Sequence, residues 1–271
     1  MGKNKLKKFA DMAAMERVYQ YPFAALKEGG FPLRGRWGEE VFGNGNPIVL
    51  ELGCGKGEYT VGLGRRFPGK NFIGIDIKGA RMWTGAKAAE AEGLGNVAFL
   101  RTSIELLESF FAPGEVSEVW ITFPDPQMKK ERKRLTGTRM IDLYRRVLRP
   151  GGTVNLKTDS PFLYNYTREM LAANGIASLA CCADIYGAEA PAESFPEGLT
   201  ELRTYYEQQW LSRGMTIKYI AFGIPKEDVV LKEPEVEIEY DTYRAYPRHH
   251  AAPCSAACDS GASGASPATP L

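Results

Sequence analysis

The chain has 271 residues, with 34 Lys and Arg residues against 33 Asp and Glu residues, which gives a formal net charge of +1. Its 44% hydrophobic and 25% charged residues are ordinary for a globular protein and exclude disorder over the whole chain. The length suits one large domain or two small ones. The low net charge argues against nucleic-acid binding through bulk positive charge, although a local basic patch remains compatible with it.

Histidine is confined to His249 and His250, near the C-terminus. Hydrolytic and metal sites that depend on histidine are therefore excluded from the body of the protein. No apolar run approaches the roughly 20 residues of a membrane span, and no signal-peptide pattern follows the lysine-rich start. We therefore expect a cytoplasmic protein without membrane association. The five cysteines favour reduced thiols over a disulfide framework.

Residues 1–45 are predicted to form a basic arm that is irregular or partly helical. From residue 48 onward, short apolar runs alternate with helical segments. Strands are predicted at 48–52, 71–76, 97–100, 119–123, 153–157 and 217–222, and helices at about 58–67, 80–91, 104–111, 139–148, 161–174 and 205–211. This alternation predicts an α/β protein with a mostly parallel sheet that carries helices on both faces.

The alternating pattern occupies residues 46–223, and residues 224–250 form an acidic extension. Residues 251–271 are mostly Ala, Ser, Gly and Pro, so we expect a disordered tail. Two histidines and two cysteines near the C-terminus have metal-ligand chemistry, but the segment has no visible scaffold and no metal site is predicted. These residues are His249, His250, Cys254 and Cys258.

A glycine loop follows the first predicted strand, in the run Glu51-Leu52-Gly53-Cys54-Gly55-Lys56-Gly57. Glycines allow a sharp turn and a close approach of a ligand to the backbone, and the helix N-terminus that follows favours a polar or anionic group. The dinucleotide pattern G-x-G-x-x-G is not met, because Glu58 stands at the third glycine position. Glu51 would suit a ligand with a positive group. Asp76, after the second strand, can accept hydrogen bonds from both hydroxyls of a ribose.

Together, Glu51, the glycine loop and Asp76 resemble class I S-adenosylmethionine-dependent methyltransferases. The resemblance implies a Rossmann-like, doubly wound, mostly parallel seven-stranded sheet with helices on both faces. It also implies S-adenosyl-L-methionine as the cofactor, with S-adenosyl-L-homocysteine as the product.

Three further motifs follow, two at predicted strand ends and one at the start of the last predicted helix. Phe123-Pro124-Asp125-Pro126 is followed by the basic residues Lys129, Lys130, Arg132, Lys133 and Arg134, and the other two motifs are Lys157-Thr158-Asp159 and Thr204-Tyr205-Tyr206-Glu207. In this order they resemble the bacterial tRNA (guanine-N7)-methyltransferase family over roughly residues 51–222. The resemblance implies methyl transfer to N7 of a guanine in tRNA, at position 46 of the variable loop, with tRNA as partner.

The family resemblance also assigns site residues. It implies Asp125 as the catalytic-site acid, beside the cofactor as well. The other cofactor-binding residues are Glu51, Gly53, Gly55, Asp76 and Thr102, of which Thr102 stands where the family usually has Asp or Asn. The substrate-binding residues are Lys129, Asp159, Thr204, Tyr205, Tyr206 and Glu207. Gln127 stands where an aromatic residue is common.

The residues fit this chemistry, because guanine N7 has a lone pair and no proton to remove. Residues 127–150 hold nine basic residues against Glu131 and Asp142, a net charge of +7, which favours contact with the tRNA backbone. Tyr206 and Trp210 are four residues apart and fit either base stacking or a helix side packed on the core. Monomer and homodimer both remain compatible with the sequence.

Two alternatives stay open. A class I methyltransferase of proteins or small molecules would keep Glu51 and Asp76 without needing the basic run. A non-catalytic RNA-binding protein is the second alternative, against which Asp125, Asp159 and Glu207 argue.

Overall fold

The computed structural model describes residues 2–21, 23–225 and 229–242. The described residues up to Tyr240 form one compact unit, and residues 241 and 242 belong to a second. The predicted disordered tail and the four C-terminal histidines and cysteines lie outside the described residues. None of the described helices has the length and apolar character needed to cross a membrane.

Eight strands and eight α-helices alternate along the described residues. In chain order they are α1 (Gly2–Ala14), β1 (Val18–Gln20), α2 (Phe23–Gly29), β2 (Ile48–Leu52), α3 (Glu58–Arg66), β3 (Asn71–Ile75), α4 (Gly79–Ala91), β4 (Val97–Arg101), α5 (Leu107–Phe110), β5 (Val116–Thr122), α6 (Thr138–Tyr144), β6 (Leu148–Thr158), α7 (Pro161–Ala173), β7 (Ser178–Cys182), α8 (Tyr205–Leu211) and β8 (Lys218–Gly223). A π-helical segment at Trp37–Phe42 precedes β2.

The strands form one sheet in the order β1-β4-β3-β2-β5-β6-β8-β7. Strands β1 to β6 pair in parallel, while β8 runs antiparallel to both β6 and β7. The predicted doubly wound, mostly parallel α/β fold is therefore confirmed. The sheet has eight strands rather than the seven predicted, because β1 adds to its edge beside β4.

Side chains alternate across the sheet, as the two-residue period of a strand requires. In β2, Leu50 and Leu52 enter the core cluster that contains α6 and α7, while Val49 enters the cluster that contains α3 and α4. The same alternation puts Trp120 of β5 and Tyr219 of β8 on the α3 side. Glu51, Thr122 and Lys157 lie in phase with these residues, so three polar side chains share one face of the sheet.

The segment before residue 46 packs closely on the sheet. Trp37 is fully buried, and its indole donates to the carbonyl of Phe110 at 2.9 Å. Met12 of α1 is fully buried in the cluster that contains α3 and α4. Helices α1 and α2 fit the predicted partly helical character, whereas strand β1 was not predicted.

Candidate active site

The carboxyl-terminal ends of the parallel strands β2 to β6 lie along one side of the sheet, which we call the carboxyl edge. It is distinct from the lateral edges formed by β1 and β7. In a doubly wound sheet, ligands bind outside the carboxyl ends of the strands. The carboxyl edge carries the glycine loop after β2, Asp76 after β3, Thr102 after β4, Phe123–Pro126 after β5 and Asp159 after β6. The topology therefore brings the predicted cofactor and catalytic segments to one edge.

The glycine loop depends on backbone conformations that favour glycine. Gly53, Gly55 and Gly57 have φ angles of +77°, +57° and +73°. The Gly53 amide donates to the Ile75 carbonyl at 2.8 Å, and a Cβ on Gly53 would have no other described atom within 4 Å. A Cβ on Gly57 would lie 2.7 Å from the Phe99 ring. The third glycine thus permits close packing below the loop, a role that the sequence pattern did not indicate.

Asp76 braces the glycine loop from the end of β3. Its Oδ2 accepts from the Gly55 amide at 2.9 Å, and its Oδ1 accepts from the Lys78 amide at 2.7 Å. The residue is half-buried, so the protein orients a carboxylate that a ligand can still reach. Ile77, the next residue, is 62% exposed and adds an apolar surface that the sequence analysis did not single out. Thr102 is buried after β4.

Glu51 is a buried carboxylate between β2 and α3. Its Oε2 accepts from both the amide (2.8 Å) and the hydroxyl of Thr60, and its Oε1 accepts from the Thr122 hydroxyl at 2.6 Å. Burial raises the pKa of Glu51 to about 7, although these hydrogen bonds act in the opposite direction. A nearby positive group would favour the charged form of this carboxyl.

Asp125 lies on a strained turn. Phe123 and Gln127, on either side of it, both have φ of +49°, a left-handed conformation that is uncommon for large residues. Backbone strain of this kind clusters at functional sites. The Phe123 amide donates to the Lys157 carbonyl at 2.8 Å, and Asp125 Oδ1 accepts from the Gln127 amide at 3.0 Å. Because Asp125 itself is exposed, the turn presents its carboxylate at the carboxyl edge.

The basic residues after the turn fall into two groups, one residue that stabilises the turn and four that are exposed. Arg134 donates to the carbonyls of Gln127 (3.3 Å) and Met128 (2.8 Å), and its guanidinium lies 4.4 Å from the Tyr166 ring centroid, so it stabilises the turn. The exposed members of the run are Lys129, Lys130, Arg132 and Lys133.

Further along the basic segment, arginines are paired with carboxylates. The pairs are Arg139–Glu105, Arg145–Asp142, Arg146–Asp142 and Arg146–Glu108. Fewer basic side chains near Asp125 are therefore free of carboxylate partners than the net charge of +7 for residues 127–150 suggested.

Lys157 is fully buried at the end of β6, where several segments meet. Its ammonium lies 2.8 Å from Glu207 Oε1. It also donates to the carbonyls of Leu199 at 2.5 Å and Leu202 at 3.1 Å. Burial lowers the pKa of Lys157, and the charge of Glu207 opposes that shift. The sequence motif contained Lys157, but no role was predicted for it.

Glu207 and Thr204 form the N-terminal cap of α8. The Glu207 amide donates to the Thr204 hydroxyl at 3.2 Å, and the Thr204 amide donates to Glu207 Oε2 at 3.3 Å, which is a capping box. Glu207 Oε1 also accepts from the Tyr186 hydroxyl at 2.7 Å. Both Thr204 and Glu207 are buried. The side-chain oxygens with which these two residues were predicted to contact the substrate are therefore already hydrogen-bonded within the protein.

Three of the predicted site carboxylates, those of Asp125, Asp159 and Glu207, lie in different environments. Asp159 is fully buried directly after β6, and the Lys218 ammonium donates to its backbone carbonyl at 3.1 Å. Glu207 is equally buried, whereas Asp125 is exposed. Of the three, only Asp125 presents its carboxylate to solvent.

Helix α8 begins beside the glycine loop. The Tyr205 amide donates to Glu58 Oε2 at 3.0 Å, and the Lys56 ammonium lies 4.3 Å from the Tyr205 ring centroid. Tyr205 is 47% exposed, and the Tyr206 ring meets it edge-on with centroids 5.7 Å apart. Trp210 packs partly buried against the core on the α3 side, which favours the core interpretation for that residue.

Two of the cavities lie in different parts of the structure. One of about 420 Å³ lies between α3, α4 and the start of α8, with Lys56 and Tyr205 in its wall. One of about 630 Å³ lies where the strands begin, beside Ile48 at the start of β2 and Ser117 near the start of β5. Because the larger cavity contains none of the predicted site residues, its size does not indicate the site of chemistry.

Comparisons with known proteins identify the family and the fold of this chain. Residues 45–220 match a family model described as "Putative methyltransferase". The tRNA (guanine-N(7)-)-methyltransferase of Porphyromonas gingivalis is 61% identical over 239 residues, covering 88% of this chain and 96% of the relative. The equivalent from Bacteroides thetaiotaomicron is 56% identical over 248 residues, covering 92% and 96%.

Among solved structures, the 16S rRNA methyltransferase KamB superposes with a TM-score of 0.53 at 18% identity, covering 78% of this chain and 99% of that one. This likeness supports the fold alone. The identity to the curated relatives over nearly their whole length is what decides the family. The chain belongs to the family of bacterial tRNA (guanine-N7)-methyltransferases.

Proposed function

We propose that this protein transfers a methyl group from S-adenosylmethionine to N7 of a guanine in tRNA, at position 46 of the variable loop. The observation that carries the proposal is the exposed Asp125 carboxylate on a strained turn, at the same sheet edge as a glycine loop braced by Asp76. The exposed basic residues after the turn supply an RNA contact at that edge. The tRNA (guanine-N(7)-)-methyltransferases to which the chain is similar support the choice of base and of RNA.

The residues around the glycine loop fit this cofactor. Asp76 offers oriented carboxylate oxygens for ribose hydroxyls, and exposed Ile77 offers an apolar surface for a purine ring. A ligand with a positive group would favour the charged form of the Glu51 carboxyl, whose pKa burial raises to about 7. When bound, the cofactor supplies an electrophilic methyl group on a sulfonium. We assign its binding to Glu51, Gly53, Gly55, Asp76 and Thr102, with Asp125 at its reactive end.

The chemistry requires placement and charge stabilisation rather than a base. Guanine N7 carries no proton, so the protein must hold this atom in line with the methyl group. Positive charge develops on the purine during transfer, and the Asp125 carboxylate stabilises it. Asp125 can also accept a hydrogen bond from guanine N1–H or the exocyclic amine. Adenine presents a different edge and would leave that acceptor unpaired.

The remaining predicted substrate residues take two roles. Lys129 and its exposed basic neighbours contact the tRNA backbone, and Tyr205 and Tyr206 offer rings on which a base can stack. Thr204, Glu207 and Asp159 are buried, so we propose that they hold the walls of the site from behind.

The test is methyl transfer with product identification. Purified protein is incubated with labelled S-adenosylmethionine and unmodified tRNA, and the digested RNA is examined for N7-methylguanosine. We expect label in that nucleoside alone. Label in a protein or small molecule, with none in tRNA, would contradict the proposal, and so would tRNA binding without any transfer.

The location and the oligomeric state of the protein are two further expectations. A tRNA substrate supports a cytoplasmic location. Monomer and homodimer both remain compatible with the fold. Sedimentation of the purified protein, with and without tRNA, distinguishes them.

A further inference from the structure

We propose that Lys157 is a positioning residue, which sets the placement of the Asp125 turn relative to α8 and thereby sets the rate of methyl transfer. The inference rests on the proposed function. It adds a residue that was not predicted to have a role, and it explains how segments far apart in sequence act as one site.

The side chain of Lys157 anchors the segment that leads into α8. An ammonium has three N–H donors, and the three acceptors around it are Glu207 Oε1 at 2.8 Å and the carbonyls of Leu199 at 2.5 Å and Leu202 at 3.1 Å. One group therefore holds both the loop that precedes α8 and the first turn of that helix. Tyr186 fixes Glu207 from another side, through its hydroxyl at 2.7 Å.

The backbone of Lys157 anchors the Asp125 turn. Its carbonyl accepts from the Phe123 amide at 2.8 Å, at the residue where the left-handed conformation begins. Lys157 is also paired in register with Thr122, whose hydroxyl donates to Glu51. Any shift of β6 at this point moves the turn as well as α8.

The helix that follows the glycine loop also reaches Lys157. The ring centroid of Tyr59, in α3, lies 5.4 Å from the Lys157 ammonium and 5.2 Å from the Trp120 ring centroid. Tyr59 is 1% exposed. The end of β6 is therefore packed against the cofactor side of the proposed site as well as the substrate side.

Stability alone is a weak reason for this arrangement. Both Lys157 and Glu207 are fully buried, and the cost of removing two charges from water offsets much of their attraction. Apolar residues of similar volume often stabilise a fold equally well. What the ion pair and its hydrogen bonds add is direction, because each acceptor must stay at a fixed distance and angle from one nitrogen.

The main variant combines Lys157→Met with Glu207→Gln, so that no unpaired charge is left buried. Single-turnover methyl transfer is measured with saturating tRNA and is expressed per S-adenosylmethionine-binding site, so that unfolded protein does not count. We expect the Kd for the cofactor to stay within about twofold, while the rate falls at least about tenfold, as small misplacements near reacting atoms produce. A rate within about threefold of wild type would overturn the proposal.

The affinity for tRNA separates positioning from direct contact. If Lys157 and Glu207 act by positioning, the double variant should lose rate while its Kd for tRNA stays within about threefold of wild type. A Kd for tRNA raised at least about tenfold would show that the pair contacts the substrate directly, and the positioning role would fail. Tyr186→Phe removes one hydrogen bond from Glu207 and is the milder test should the double variant not fold. It should slow transfer about two- to fivefold, and an unchanged rate would count against the proposal.

The control is Asn71→Ala. Asn71 is buried at the start of β3, at the opposite edge of the sheet, and donates to Asn44 at 2.7 Å. Its loss should lower the unfolding temperature without changing the rate per binding site. If wild type transfers no methyl to tRNA, the proposed function fails. If wild type is active and the Lys157 variants match it, only the positioning role fails.

Discussion

The glycine loop and the Asp125 turn lie along the same sheet edge but are held in different ways. The loop is braced locally, by a carboxylate that is 21 residues away from the amide it binds. The turn is anchored through Lys157, whose ammonium binds carbonyls 42 and 45 residues further along the chain. The cofactor side of the site is thus a compact local motif, whereas the substrate side depends on tertiary structure.

The largest expected effect comes from Asp125→Ala. Removing the exposed carboxylate takes away charge stabilisation but leaves the glycine loop intact, so turnover should fall about 10² to 10³-fold. Calorimetric binding of S-adenosylmethionine should be unchanged. Near-normal turnover would remove Asp125 from the chemistry, and lost cofactor binding would show that the two sides are not separable.

Gly57→Ala tests the cofactor side of the site, which is a local motif. The new Cβ would lie 2.7 Å from the Phe99 ring at a backbone φ of +73°. Strain and overpacking together should lower the free energy of unfolding by about 3 to 5 kcal/mol, measured by urea denaturation. Gly93→Ala is the matched control, because Gly93 also has a positive φ of +64° but its Cβ would have no other described atom within 4 Å, and it should lower the free energy of unfolding by only about 1 to 2 kcal/mol. Equal effects of the two changes would contradict the packing role of Gly57.

Glu51→Gln tests the electrostatics of the loop. The folded pKa of Glu51 is about 7 against an ordinary value of 4.5, so the folded state keeps this proton longer than the unfolded state. The stabilising contribution is complete below about pH 4.5 and is lost as pH rises to 7, a change of up to about 3 kcal/mol. Urea denaturation from pH 4.5 to 8 should show this decline in wild type relative to the Gln variant.

The same titration bears on the cofactor. If a positive group of the ligand faces Glu51, the affinity of wild type for S-adenosylmethionine should rise as pH increases through 7. The Gln variant should lack that rise. Parallel pH profiles for the two proteins would place the positive group elsewhere.

The smallest expected effect is that of Lys129→Glu on tRNA binding. One exposed charge beside Asp125 should weaken tRNA affinity about three- to tenfold and reduce the salt dependence of binding by about one ion or more. Lys87→Glu is the control, because Lys87 is an exposed lysine on α4 paired with Glu90 at 2.7 Å. Equal losses for both variants would indicate general electrostatics rather than a local contact.

The local strands could be predicted because their signals are local. Strand β2 has the predicted bounds, since an apolar run ends directly in glycines. Strand β1 has only three residues, in a basic segment, and shows no apolar run. Strand β7 does lie in an apolar run, but it is a largely exposed strand at the sheet edge and was not predicted. Helix α6 ends at Tyr144, before the predicted 148, because Leu148 already pairs with Val116 in the sheet.

The site residues divide in the same way, into those that local sequence signals predict and those that depend on tertiary packing. The placement of Asp76 and Asp125 follows from strand order and the rule for doubly wound sheets. The burial of Glu207 and the junction at Lys157 depend on where the loop before α8 packs, and no short motif encodes that. Arg134 shows the converse, because its basic neighbours suggested RNA contact while its own donors hold the turn.

The most direct test of the account compares two tRNA transcripts of one sequence, one ordinary and one made with 7-deazaguanosine, which lacks N7. Competition binding first establishes that both transcripts occupy the protein. We expect labelled methyl transfer to the ordinary transcript and none to the deaza transcript. Equal labelling of the two would contradict methylation at guanine N7, the central claim.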